Sequence, residues 1–205
     1  MKLDGTELEL IDIDAIVKPG EALIFDCDGT LADTMPGHHE AWQQTLALLG
    51  ASFPVEQFYA LAGVPTPMIA RQIAAEHGLT IDPDQLARRK EQAYLDSMPA
   101  VLPIEKVVAV ARAGRARQIP MAVASGSHRA LVERTLRQIE IWEWFPVVVA
   151  SEDTTRHKPE PDVFLEAARR LGVAPAKCLV YEDADLVIEA ARRAGMRFID
   201  VRLMP

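Results

Sequence analysis

A chain of 205 residues, 49% hydrophobic and 25% charged, has the length and apolar content to bury one substantial core, with room for an inserted second unit. Its 22 basic and 30 acidic side chains leave a formal charge of −8 with no long Lys/Arg run, which argues against nucleic acid and anionic membrane as partners. Two cysteines without a CxxC spacing exclude a disulfide framework and a structural zinc site, and no apolar run approaches the ~20 residues of a membrane span.

Residues 1–20 form an acidic leader in which Leu8, Leu10, Ile11, Ile13, Ile16 and Val17 stand among five acids, as in a strand or helix laid on a domain surface. It lacks a basic region followed by an apolar stretch, so no secretory signal is expected and the setting is read as cytoplasmic and reducing. Ala22-Leu-Ile-Phe-Asp-Cys-Asp-Gly-Thr-Leu31 starts as a short apolar run, which predicts a strand buried on both faces in the middle of a parallel sheet. Asp26 falls where that strand emerges, and Asp28, two positions on, points to the same side of an extended chain. Such a pair suits a division of labour in which one carboxylate attacks a substrate and the other handles protons. Gly29 lets the backbone turn sharply, and Thr30 adds a hydroxyl beside the acids. Cys27 and Cys178 are read as small packing residues in apolar runs.

Residues 37–100 show helical periodicity and no convincing strand. Ala41, Trp42, Thr45, Leu46 and Leu49 make one stripe, Ile69, Ile73 and His77 another, and residues 83–96 predict a further helix. Met35-Pro-Gly37 and Met98-Pro-Ala-Val-Leu-Pro103 bracket the block as hinges. A helical insertion straight after the acidic strand end would sit over it as a lid.

From residue 101 strands and helices alternate. Pro120-Met-Ala-Val-Ala-Ser125, Val147 to Ser151, Lys177-Cys-Leu-Val-Tyr181 and Met196 to Val201 read as strands. Phe164, Leu165, Ala168 and Leu171 recur at helical spacing between Pro161 and Gly172, and Leu186, Val187, Ala190, Ala191 and Ala194 repeat the pattern before Gly195. The fold class is therefore α/β, a Rossmann-like parallel sheet core built from 1–36 and 101–205, with an inserted α-helical cap at 37–100.

Four motifs converge on one sheet edge in this order: Asp26-Cys-Asp-Gly-Thr-Leu31, Ser125-Gly-Ser127, His157-Lys-Pro-Glu-Pro-Asp162 and Tyr181-Glu-Asp183. Together they resemble the haloacid dehalogenase superfamily, in its phosphatase and phosphomutase branch with a small helical cap, over roughly residues 20 to 205. The resemblance implies that Asp26 attacks phosphorus to form an aspartyl-phosphate, while Asp28 protonates the departing alkoxide and then takes a proton from water. It implies Mg²⁺ held by the Asp26 carboxylate, the Asp28 carbonyl, Asp183 and Glu182. Crowded carboxylates demand such a cation, since each like-charged pair at ~4 Å costs about 4 kcal/mol at an effective dielectric of 20. Lys158 would neutralise the nucleophile and the transferring phosphoryl group, and Ser125 with Gly126 would bind phosphoryl oxygens, with Thr30 beside them.

Other positions keep two readings. Ser127 is a helix N-cap or a ligand, and Asp33 is a cap or hinge residue. His38 matches a cap-side histidine that contacts substrate in related mutases, or is an exposed helix-start histidine. His39, Arg71 and Arg129 are read as solvated, and Trp42 as cap core.

Within the superfamily, Asp28 argues against dehalogenases, which lack the second aspartate. The only lysine between 37 and 100, Lys90, lies far from the position where phosphonate-cleaving members form a Schiff base. Hexose-phosphate mutases carry Lys and Arg in a Leu-Lys-Gly-Val-x-Arg element, and here Leu61-Ala-Gly-Val-Pro-Thr66 places Ala62 and Thr66 there. The expectation is a phosphatase acting on a small phosphorylated metabolite, most like bacterial enzymes for fructose-1-phosphate or 6-phosphogluconate. A β-phosphoglucomutase-like activity is the alternative, and a catalytically idle phosphometabolite-binding protein is the third reading. Ala184 and Val187 depart from the Ser and Gly common in relatives, and Val187 is expected to press on the metal loop. A monomer is expected, with a dimer as the alternative.

Overall fold

A computed structural model describes residues 13–97 and 100–205. Most of the acidic leader, residues 1–12, and Met98 and Pro99 of the second expected hinge lie outside the described residues. The rest of the leader supplies α1 (Ile13–Ile16), a single turn with Ile13 buried on the core. In chain order there follow β1 (Ala22–Phe25), α2 (Met35–Ala47), α3 (Val55–Ala60), α4 (Thr66–Glu76), α5 (Pro83–Ser97) and α6 (Glu105–Ala116). Then come β2 (Met121–Ala124), α7 (Arg129–Gln138), β3 (Val147–Val149), α8 (Asp162–Leu171), β4 (Cys178–Glu182), α9 (Asp185–Arg193) and β5 (Arg197–Asp200).

The five strands form one parallel sheet in the order β3-β2-β1-β4-β5, the α/β fold expected from the sequence. β1 is central because all four of its side chains are apolar and buried, which only an inner strand covered on both faces allows. Alternation divides them. Leu23 and Phe25 pack with Val107, Val110, Val132 and Leu136 of α6 and α7, whereas Ala22 and Ile24 face Phe164, Ala167, Ala190 and Ala191 of α8 and α9. Phe25 also stacks on Tyr181 of β4 at 5.1 Å. Each long buried side chain here contributes on the order of 2–3 kcal/mol, and truncating Phe164 to Ala would cost about 3–5 kcal/mol.

α8 shows why the sequence was legible: Pro161 precedes it, and Gly172 ends it in the left-handed conformation at φ 70°. The apolar layer over α8 and α9 runs on without a break into Trp42, Phe53, Phe58, Ile69, Ile73 and Leu86 of α2 to α5 and the intervening loops. The four helices of residues 35–97 therefore sit on the carboxyl edge of the sheet. One boundary differs from expectation. Met35-Pro-Gly37 is the first turn of α2, not a loop, because proline is accommodated at the start of a helix where its missing N–H has no intrahelical partner. Among the described residues no helix is long and apolar enough to cross a membrane.

Candidate active site

Parallel strands all end on the same side, and three of them deliver the motifs to one place. Asp26 follows β1, Ser125 follows β2, and Glu182 closes β4 with Asp183 after it. Lys158 arrives from the loop after β3 and is only 1% exposed. Its Nζ donates to Asp26 Oδ1 at 2.6 Å and to the Ala124 carbonyl at 3.2 Å, and lies 3.5 Å from Glu182 Oε2. Burial works against the ammonium, but the Asp26 and Glu182 carboxylates outweigh it and raise its pKa. Lys158 is a fixed positive charge.

One ammonium does not balance the acids around it. Asp26, Glu182 and Asp183 each place an oxygen within 4.8 Å of the others. Burial pushes Asp26 up to about 6 despite Lys158, helped by Asp183 and Asp28. Burial and Asp26 likewise push Glu182 well above the carboxylate range. Glu182 Oε1 accepts the Asp183 and Ala184 N–H groups at 2.9 and 3.2 Å, while its buried Oε2 has no hydrogen-bond partner. A buried carboxylate oxygen with no hydrogen-bond donor beside two more carboxylates could hold a cation in addition to the Lys158 ammonium, and a set of oxygen donors suits a hard divalent ion such as Mg²⁺. Thr30, expected beside the acids, donates its hydroxyl to Asp183 Oδ1 at 2.9 Å. Gly29 is needed for space as well as for its φ of 81°, because a Cβ there would lie 2.3 Å from Asp183 Oδ2.

Asp28 has a separate set of partners. Thr34 donates to Oδ1 at 2.7 Å, Ser127 to Oδ2 at 2.6 Å, and His38 Nε2 stands 3.4 Å from Oδ1. Burial alone would raise this carboxyl, but the His38, Ser127 and Thr34 contacts hold it well below the usual range. Behind His38 stands Lys90, whose Nζ donates to His38 Nδ1 at 2.8 Å. Burial and the Lys90 charge lower the His38 pKa, so the imidazole is neutral. Since Nδ1 accepts from Lys90, Nε2 carries the proton and donates toward Asp28. Tyr94 stacks on the same ring, with centroids 3.9 Å apart and planes at 15°.

The two aspartates face a cavity of about 60 Å³ roofed by α2 to α5 and the loop between α3 and α4. Its walls include Ser125, Gly126 and Ser127 from the sheet edge, and Trp42, Ala62, Thr66 and Lys90 from above. Ser125 is 1% exposed, and its hydroxyl accepts the Ser127 N–H at 3.0 Å.

The structure thus brings together Asp26, Asp28, Lys158, Ser125, Gly126, His38, Glu182 and Asp183. The weaker candidates have other partners. His39 meets the Phe53 carbonyl, Arg71 is an exposed neighbour of Asp84, and Arg129 binds Asp153 and the Val148 carbonyl. Asp33 is exposed. Ser127 is not a helix cap, since α7 is preceded by His128.

Three site residues were missed: Thr34, Ser127 as a partner of Asp28, and Lys90. Only Lys90 left a signal. It lies four residues after Leu86 and four before Tyr94, both buried, so helical spacing places it on the inward face of α5. The roof is therefore not free of cations, as Ala62 and Thr66 had suggested. The side chain of Val187 meets the roof at Gly63.

Comparison with known proteins agrees with this geometry. The family described as haloacid dehalogenase-like hydrolase matches residues 21–195. The chain is 43% identical over 186 residues to the fructose-1-phosphate phosphatase YqaB of Escherichia coli, covering 89% of this chain and 96% of that protein. It is 30% identical over 189 residues to the β-phosphoglucomutase of Bacillus subtilis, covering 88% and 83%. The crystal structure of CbbY from Rhodobacter sphaeroides with xylulose-(1,5)-bisphosphate superposes with a TM-score of 0.77 at 27% identity, over 87% of this chain and 84% of that one.

Proposed function

The chain belongs to the haloacid dehalogenase-like hydrolases, and on that footing we propose that it is a phosphatase that hydrolyses a small sugar phosphate through an aspartyl-phosphate on Asp26. The observation that carries this reading is the separation of partners between two aspartates two residues apart. Asp26 is tied to Lys158 beside a carboxylate cluster, and Asp28 is held by neutral donors across the same cavity.

In the first half-reaction an Asp26 carboxylate oxygen bonds to phosphorus as the ester P–O bond breaks, and the leaving alkoxide takes a proton from Asp28, which acquires that proton with the incoming phosphate ester because its donors keep it ionised in the free site. In the second, water attacks the phosphorus of the aspartyl-phosphate, gives its proton to Asp28, and Asp26 is released with inorganic phosphate. Lys158 holds the nucleophile and neutralises the equatorial oxygens, and the Ser125 hydroxyl with the Gly126 backbone positions them. Asp26, Glu182 and Asp183, with the Asp28 carbonyl, would hold Mg²⁺. When bound, that ion supplies the positive charge the cluster lacks and offsets charge developing on the phosphoryl group.

Residues 37–100 act in this reading as a cap over a core of 1–36 and 101–205. A monomer is the proposed state, and a phosphorylated metabolite as substrate fits a cytoplasmic enzyme.

A phosphomutase reading has one observation in its favour, the buried Lys90 ammonium in the roof. It would have to hold a distal phosphate alone, because Ala62 and Thr66 occupy the other positions. Release of phosphate from fructose 1-phosphate, 6-phosphogluconate and p-nitrophenyl phosphate with Mg²⁺ tests the assignment. Asp26→Asn is expected to lower turnover at least about a thousandfold. Turnover that survives this substitution refutes the nucleophile. Conversion of β-glucose 1-phosphate to glucose 6-phosphate faster than any hydrolysis would make the protein a mutase, and no turnover at all would leave a binding protein.

A further inference from the structure

The loop between α3 and α4 comes down onto the sheet edge at Gly63, which has φ 79°. A Cβ built on Gly63 would lie 2.2 Å from Val187 Cγ2, 3.7 Å from Val187 Cβ and 3.4 Å from Lys158 Cδ. From the other side, a Cβ on Gly126 would lie 2.5 Å from the Gly63 carbonyl oxygen. Gly63 is thus lodged between Val187, fully buried on the first turn of α9, and the backbone of the Ser125-Gly-Ser127 turn. Beneath it runs the stem of Lys158.

We propose that Val187 is a positioning residue, the stop on which the roof loop seats, and that it sets the closed height of the pocket above Asp26 and Asp28. The inference rests on the phosphatase reading of this site. One valine γ-methyl occupies the volume that any side chain at position 63 would need, so Val187, beyond the backbone angle, makes that residue a glycine. The seat leaves a cavity of about 60 Å³, room for roughly half a dozen waters or fewer, which matches a phosphoryl group and little more. With the roof loop seated on this stop, the phosphoryl oxygens of a substrate meet the groups that act on them. A rest position raised by an ångström misplaces Lys90 and His38 relative to the core, and displacements of that size cost about a hundredfold in rate.

The test is a cycle of four proteins: wild type, Gly63→Ala, Val187→Ala and the double variant. Val187→Ala deletes the blocking Cγ2 and leaves Cβ at ordinary contact distance. The strain of alanine at positive φ is the same in both backgrounds, whereas the collision exists only with valine present. Gly63→Ala is expected to lower kcat on fructose 1-phosphate about a hundredfold with KM changed less than about threefold, because the phosphoryl contacts belong to the core. In the Val187→Ala background the same change should cost roughly tenfold or less. Equal losses in the two backgrounds overturn the stop. The cycle is also read without substrate, as melting temperature, where Gly63→Ala should cost more beside valine than beside alanine. That arm decides the stop even if the wild type turns over no sugar phosphate, an outcome that would sink the phosphatase reading alone. Should Gly63→Ala fail to fold, recovery of the fold in the double variant supports the stop, and failure there overturns it.

Discussion

Replacing Lys90 with methionine should stabilise the protein while damaging its catalysis. Lys90 is 3% exposed, on the inward face of α5, and burial pushes its pKa from 10.5 down to about 8 against the pull of Asp28 and Glu91. That lowering corresponds to a penalty on the order of 3 kcal/mol for burying the ammonium at neutral pH. Methionine fills similar space without the charge but leaves His38 Nδ1 without its donor, which costs about 1–2 kcal/mol. The expected net gain is about 1–2 kcal/mol, a rise of roughly 2–8 °C in Tm for a chain of this size. The pH dependence follows from the sign of the shift. Below pH 8 Lys90 is charged in both states and the penalty is constant, whereas between about 8 and 10.5 the unfolded chain binds the extra proton and wild-type stability rises with pH. The advantage of methionine should therefore be full at pH 7 and shrink by pH 10. Melting by circular dichroism at pH 7, 8.5 and 10 measures it. Turnover should fall about tenfold or more, because His38 loses the bond that fixes its tautomer toward Asp28. A methionine variant less stable than wild type at pH 7, or an advantage unchanged from pH 7 to pH 10, would refute the reasoning.

Gly29→Ala should displace Asp183, whose Oδ2 stands 2.3 Å from the added Cβ, and raise the Mg²⁺ concentration for half-maximal activity about 10–100-fold. Mg²⁺ at a hundredfold excess over its Kd should stabilise the folded chain by about 2.7 kcal/mol in thermal melting; chelation should remove the gain and Asp183→Asn should abolish it. Ser127→Ala removes the 2.6 Å donor to Asp28 Oδ2 and should lower kcat about tenfold with little change in KM, since this hydroxyl acts on Asp28 and not on the phosphate. An effect confined to KM would show instead that Ser127 binds substrate.

The sheet and its acidic edge were legible because their causes are local. Four apolar residues in a row at Ala22–Phe25 need cover on both faces, and parallel connections then send Asp26, Ser125 and Glu182 to one side whatever else the chain does. The contacts of Asp28 were not legible, because the start of α2, with Thr34 and His38, and the Ser127 turn reach it from two segments whose approach is set by tertiary packing. Lys90 stood on a periodic helix face, yet a lysine among apolar neighbours reads first as a solvated chain that covers them. What makes it a site residue is His38 on another helix, whose Nδ1 accepts a hydrogen bond from the Lys90 ammonium. Thr30 shows the reverse: its motif position is plain in the sequence, but its duty toward Asp183 depends on where β4 ends.

Glycine is where sequence reasoning about backbone angles and the structure part most clearly. Gly29 and Gly63 have positive φ, so conformation alone accounts for them, and the neighbours that forbid a side chain, Asp183 and Val187, go unnoticed. Gly126 has no such angle, and conformation alone would accept alanine there. It is a glycine because the Gly63 carbonyl rests 2.5 Å from where its Cβ would be. Two residues without side chains thus meet backbone to backbone where the roof loop touches the sheet edge. A hydrolase of this design needs that closeness, since water and phosphate are small and a taller pocket would leave Asp26 and Lys158 open to bulk solvent, whose dielectric weakens every charge that the site brings together. The valine at position 187 belongs to the same logic. It fills the space under the loop and gives the cover a defined height.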